Sequence, residues 1–293
     1  MPLDTTTDER DLREIVGAAP ETSTPRRSRR WRRRTVLGIG VVLVVLLAGG
    51  GAWYVFGRER ARSVSTEDAL SSFRKNGAPA ADAEGRALFG VYPATATGSE
   101  SIGIPGFDES FGPKAPVTVT QGDGGCFAYR ADLNSHHWRT WTFCPTDAAT
   151  FALTKFESWT ARKAPGLNID SLTTSTCRTP LEFVWRSATA GDTRDGVCAG
   201  TTDSDPAVTN DAGTFTVVGT SRMRVGDETI DVVHARTTDV FTGAQTGTER
   251  DEWWLDARTG LPVKITFDLS LEGGPSDYSE HGTLVLTSTH AAR

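Results

Sequence analysis

The chain is poor in methionine, cysteine, histidine and tyrosine, with 2, 4, 5 and 4 of each in 293 residues. The four cysteines fall at 126, 144, 177 and 198, and none forms a C-x₂₋₄-C pair, so the spacing argues against a zinc site. G-x-S-x-G, H-E-x-x-H and the combined S-x-x-K and K-T-G set of penicillin-binding enzymes are absent, which removes the motif-level grounds for a hydrolase. Internal repeats are absent too. Scarce Met alongside frequent Ala, Thr, Gly, Asp and Arg is the usage of a high-GC bacterial genome.

Charge is missing from one stretch altogether. Residues 35–57, TVLGIGVVLVVLLAGGGAWYVFG, form an unbroken uncharged run. As a helix its roughly 23 residues would cover about 34 Å, enough for a hydrocarbon layer of about 30 Å. Trp53, Tyr54 and Phe56 stand at the far end, where aromatic rings favour the interface. RRSRRWRRR before the run has seven arginines, whereas RERAR after it has three beside Glu59. The positive-inside bias puts the N-terminus in the cytoplasm and residues 58–293 outside. RRRTVLG and AGGGA offer a rival reading as a cleaved export signal. The apolar run is long for a signal core and continues to Phe56, which favours an uncleaved, single-pass anchor. No cysteine follows the run closely, so a lipoprotein anchor is excluded.

Charge divides along the same line. Residues 1–57 hold 9 Arg and 6 acidic residues, net +3, leaving 22 basic and 31 acidic residues beyond, net −9, which sum to the chain's −6. An acidic outer part is a poor partner for nucleic acid or an anionic surface. The arginine cluster's plain role is to fix topology beside anionic head groups. All four cysteines lie on the outer side, as expected for two disulfides in an oxidising compartment.

Residues 1–34 read as a disordered basic cytoplasmic tail. Residues 58–87 read as a juxtamembrane helix and linker. In STEDALSSFRKNG, Ser65 caps the helix, Asp68 takes the capping-box position, Gly77 ends it, and Leu70 and Phe73 form its apolar side. Residues 88–293 read as one extracytoplasmic β domain. Candidate strands fall at 88–97, 116–121, 126–133, 136–144, 150–160, 182–187, 213–225, 228–240, 247–256, 261–272 and 282–289. GSESIGIPGFDESFGPKAP and TTDSDPAVTNDAG read as long loops.

One hairpin can be read in register. A three-residue turn at Asn134–Ser135–His136 in CFAYRADLNSHHWRTWTFC opposes residues whose numbers sum to 270. Phe127 then faces Phe143, Tyr129 faces Trp141, and Cys126 meets Cys144 on the other face. That predicts the Cys126–Cys144 disulfide, with Cys177–Cys198 following by elimination.

In WWLDARTGLPVKITFDLSLEG, Val263, Ile265, Phe267, Leu269 and Leu271 alternate with polar residues, the pattern of an antiparallel sheet with one wet face. About eleven such strands must curl. The fold expected is mainly β: a curved antiparallel sheet, half-barrel or barrel-like, with one or two short helices and a preceding transmembrane helix. EWWLDARTGLPVKITFDLSL resembles the W-x-D-x-x-T-G-L-P hairpin of LolA-like and RseB-like envelope proteins, and RMRVGDETIDVVHARTTDV resembles their penultimate hairpin. The likeness covers about 80 C-terminal residues, and as a whole the chain resembles an actinobacterial membrane-anchored protein. It implies a curved sheet whose concave apolar side is covered by short helices, binding of acyl chains or lipoproteins, and no catalytic residues. The chain departs from the carriers in its membrane span, its two disulfides and its middle region.

His136 and His137 are adjacent, an awkward geometry for joint metal binding on a strand, and read as structural. GDGG precedes a strand and reads as a turn; DSD at 203–205 reads as a solvated loop. Carboxylate pairs meet only in space, so the sequence neither favours nor removes a two-carboxylate hydrolase. Tyr129, Trp141, Trp254, Val263, Ile265, Phe267 and Leu269 are candidates to line a lipid-sized cavity. Which of Trp253 and Trp254 points inward depends on the turn between their strand and the next. No catalytic, cofactor or metal residue is assigned. The expectation is an anchored domain that binds or senses a hydrophobic lipid or lipoprotein ligand. The competing expectation is a structural module with a filled core and an envelope protein partner.

Overall fold

The structure, a computed structural model, describes residues 59–76, 89–164, 166–203, 205–273 and 277–293. The expected tail, the membrane span at 35–57 and Gly77 lie outside the described residues. No described helix is long and apolar enough to cross a membrane.

Among the described residues, fourteen strands follow one α-helix, α1 (Thr66–Lys75). They are β1 (Gly90–Tyr92), β2 (Ala94–Ser101), β3 (Glu109–Ser110), β4 (Val117–Gln121), β5 (Phe127–Asn134), β6 (His137–Pro145) and β7 (Thr150–Ala164). Then come β8 (Leu167–Val184), β9 (Thr193–Thr202), β10 (Thr209–Val225), β11 (Glu228–Gly243), β12 (Gln245–Asp256), β13 (Pro262–Gly273) and β14 (Tyr278–Leu286). They form one antiparallel sheet in the order β1-β4-β5-β6-β7-β8-β9-β10-β11-β12-β13-β14-β2-β3. Only Pro93 separates β1, which pairs with β4, from β2, which pairs with β14. One run of chain thus serves both ends of the order, and the sheet must curl into a half-barrel to allow it.

The side-chain period explains the core. On β13 Val263, Ile265, Phe267 and Leu269 are buried while Asp268 and Ser270 are exposed. On β5 Phe127, Tyr129, Ala131 and Leu133 all point inward. The β12–β13 turn follows from its chemistry: Asp256 accepts the Arg258 N–H, and Gly260 takes a φ of +76°.

Phe127 pairs with Phe143 and Tyr129 with Trp141, and the Cys126–Cys144 and Cys177–Cys198 disulfides are formed. The turn itself differs from the reading. It is two residues, Ser135 and His136, and a bulge at Leu133 restores the register. The largest departure is in the middle. The sequence suggested one short strand at 182–187 between 160 and 213, yet β8 begins at Leu167, and β9 was not foreseen. Their threonines and serines carry little apolar alternation, and cross-strand pairing orders them instead. The two long loops shrink accordingly, since β2 extends to Ser101 and β10 starts at Thr209.

Ser65 caps α1, its hydroxyl accepting the Asp68 N–H at 3.0 Å. Ala69 and Phe73 pack on Val91, apart from the main core that holds the neighbouring Tyr92. The helix therefore lies on the outer face of the sheet, and no described helix covers the concave side.

Candidate functional site

Alternation also drives charged residues inward. On β12 the set that includes buried Trp253 and Leu255 includes Asp251 and Glu249. On β6 Arg139 shares the parity of Trp141 and Phe143, and β10 and β11 add Asp211 and Asp239. Asp239 stands directly opposite Glu249 across the β11–β12 ladder.

These residues line a cavity of about 550 Å³. Its aromatic floor is Trp141, Phe183 and Trp253. Trp253 meets Trp141 and Phe183 edge-on, with centroids 5.6 and 5.2 Å away. Beneath them Phe143 and Phe215 fill the interior against Phe183. The Trp253 indole N–H donates to Thr237 at 3.1 Å, so its polar atom is satisfied. Leu153, Phe156, Leu181, Leu269 and Leu271 supply apolar wall, and Asp211, Asp239, Glu249, Asp251 and Arg139 the polar side.

Arg139 is 1 % exposed and reaches across the interior from β6 to β12 and β14. It forms an ion pair with Glu249 and lies 3.8 Å from Glu280. Its guanidinium also sits over the Trp141, Phe156 and Phe267 rings, 5.0 to 5.4 Å from their centroids. Glu280 accepts from Tyr278 and contacts His137 at 3.1 Å, while Glu100 pairs with Arg162 at 2.7 Å. Burial would raise the Glu280 carboxyl, but Arg139 and His137 outweigh it and bring it down to about 2. Burial would lower His137, but Glu100 and Glu280 outweigh it and hold its pKa above the ordinary value.

The cavity carboxyls behave oppositely. Burial, then the Glu249 charge, lifts Asp211 to about 7. Burial and neighbouring carboxylates raise Asp239 and Asp251 well above the usual range. Asp211 and Asp239 are diagonal neighbours on β10 and β11, and the Asp211 charge is one of the causes that raise Asp239. Among the described residues no group of three or more His, Cys, Asp or Glu is placed to hold a metal ion.

Of the residues singled out from sequence, Trp141 and Leu269 line the cavity. Tyr129, Val263, Ile265 and Phe267 are buried in the core beside it, where the Tyr129 hydroxyl donates to the Pro262 carbonyl at 3.1 Å. Trp254 does not point inward: it lies on the outer face, stacked on His234 at 4.5 Å with the Lys264 ammonium 4.0 Å from its ring. Trp253 is the inward one, because it pairs directly with Ile265 before a bulge shifts the β12 register. Cys198 borders the cavity; the other three cysteines do not. The polar residues Arg139, Asp211, Asp239, Glu249 and Asp251 were not singled out, although their parity with inward aromatics was visible in the sequence.

This architecture defines a class: a curled antiparallel half-barrel, stapled by two disulfides, with a hollow in its concave side. No family model matches the chain, and neither a curated protein nor a solved structure does.

Proposed function

We propose that this chain is a membrane-anchored extracytoplasmic β domain that binds or senses a hydrophobic ligand, lipid or lipoprotein, in the concave cavity of its half-barrel. The observation that carries this is the cavity of about 550 Å³ floored by Trp141, Phe183 and Trp253. A volume of that order fits a small lipid or part of an acyl chain. Burial of acyl surface there would supply roughly 25 cal/mol per Å². The likeness of residues 252–271 to LolA-like hairpins and the uncharged run at 35–57 support the same reading. The test is native mass spectrometry of the full chain purified from bacterial membranes, followed by organic extraction. A stoichiometric lipid, lost in Trp141→Glu, is the expected result. A ligand-free mass and no uptake of added lipid would overturn the reading in favour of a protein-interaction module.

A further inference from the structure

The cavity's apolar floor says little about the head group its ligand carries, but the polar side does. Asp211, Asp239, Glu249 and Asp251 all border it, against a single cation, Arg139. The Arg139 charge is balanced by Glu249, with Glu280 3.8 Å away. Asp251 is 4 % exposed, lines the cavity, and its Oδ1 has no hydrogen-bond partner. The Arg139 Nε and Nη1 also make no hydrogen bond, so this side of the cavity can meet an acceptor on the ligand as well as a donor. The rings of Trp141, Phe156, Phe183 and Trp253 border the same space, and aromatic faces attract cations.

Resting on the cavity-binding reading above, we propose that the ligand is an amphipathic organic cation. Its ammonium group donates to Asp251 and the Asp211–Asp239 pair, and its apolar body lies on the Trp141, Phe183 and Trp253 rings. A metal ion is disfavoured because among the described residues no three such side chains are placed to hold one. An acid head group would set a fifth acidic group beside four carboxyls, with the Arg139 charge already balanced. A ligand with no N–H or O–H would leave Asp251 without a donor, and a neutral hydroxyl would supply one without the charge.

The experiment is calorimetric titration of the full chain at neutral pH with hexylamine, hexanol and hexanoate, three probes of one apolar length. Hexylamine is expected to bind about tenfold tighter than hexanol, the effect of one charge-assisted hydrogen bond, with hexanoate weakest. Asp251→Asn should bring hexylamine to the level of hexanol while leaving hexanol unchanged; Asp211→Asn is the second variant should the first fail to fold. Equal binding of all three probes, or tightest binding of hexanoate, would overturn the cation and leave the apolar cavity standing. Binding of none would overturn the cavity reading as well.

Discussion

The interior of the half-barrel changes character halfway along its strands. On β6 the inward residues run from His137 and Arg139 to Trp141 and Phe143, and on β12 from Glu249 and Asp251 to Trp253 and Leu255. On β10 they run from Asp211 to Phe215 and Val217. At the apolar end aromatic and aliphatic side chains interdigitate. Phe183, for example, packs against Phe143 and Phe215 with ring centroids 5.3 and 4.9 Å away. At the charged end each group needs a partner, and spacing set by hydrogen bonds and repulsion leaves room. The same backbone alternation thus builds a filled core at one end and a lined cavity at the other.

The largest effect expected from breaking this division is at Arg139. Arg139→Met leaves Glu249 and Glu280 buried without their cation and should cost about 3–5 kcal/mol by urea unfolding. Replacing Glu249 and Glu280 by Gln in the same chain should recover much of that loss.

Removing Cys126–Cys144 by a double Ser substitution should cost about 3 kcal/mol, measured the same way. It should leave cavity binding intact, since neither cysteine borders the cavity.

The two ends also part in their pH response. Asp211 titrates near 7 in the folded state against 3.8 for the free side chain, so its contribution is full below about 3.8 and is lost as pH rises through 7. Asp239 and Asp251 are raised as well and act in the same direction. Glu280, at about 2 against 4.5, contributes above 4.5 and loses that contribution as pH falls towards 2. The unfolding midpoint should therefore fall as pH rises from about 5 to 8. Asp211→Asn with Asp251→Asn should flatten that slope and leave the acid limb unchanged.

The smallest effect is expected outside the barrel. Ser65→Ala removes the acceptor for the Asp68 N–H and should cost about 1 kcal/mol. Faster hydrogen exchange confined to α1 would report it.

The division explains what the sequence could and could not reveal. Apolar alternation at Val263–Leu271 and the aromatic register of 127–143 were legible because burial and the two-residue period agree there. The Ser65 cap of α1 was legible because a single residue carries its chemistry. The charged half was not, although Arg139 precedes Trp141 by two positions and Asp251 precedes Trp253 by two. Charge on a strand reads as a solvated face, and only the curl of the sheet turns that row inward. β9 was missed for a related reason: its residues gain their order from β8 and β10, not from their own pattern. The inward choice between Trp253 and Trp254 hinged on a bulge that no local residue announces.

The most direct test of the division between filled and hollow ends is a crystal structure of the protein grown with 6-bromohexan-1-amine, the bromine located by its anomalous signal. The account predicts bromine among Trp141, Phe183 and Trp253 and the amine within hydrogen-bond reach of Asp251. Side chains closed over that space, or bromine found only on the outer face, would contradict it.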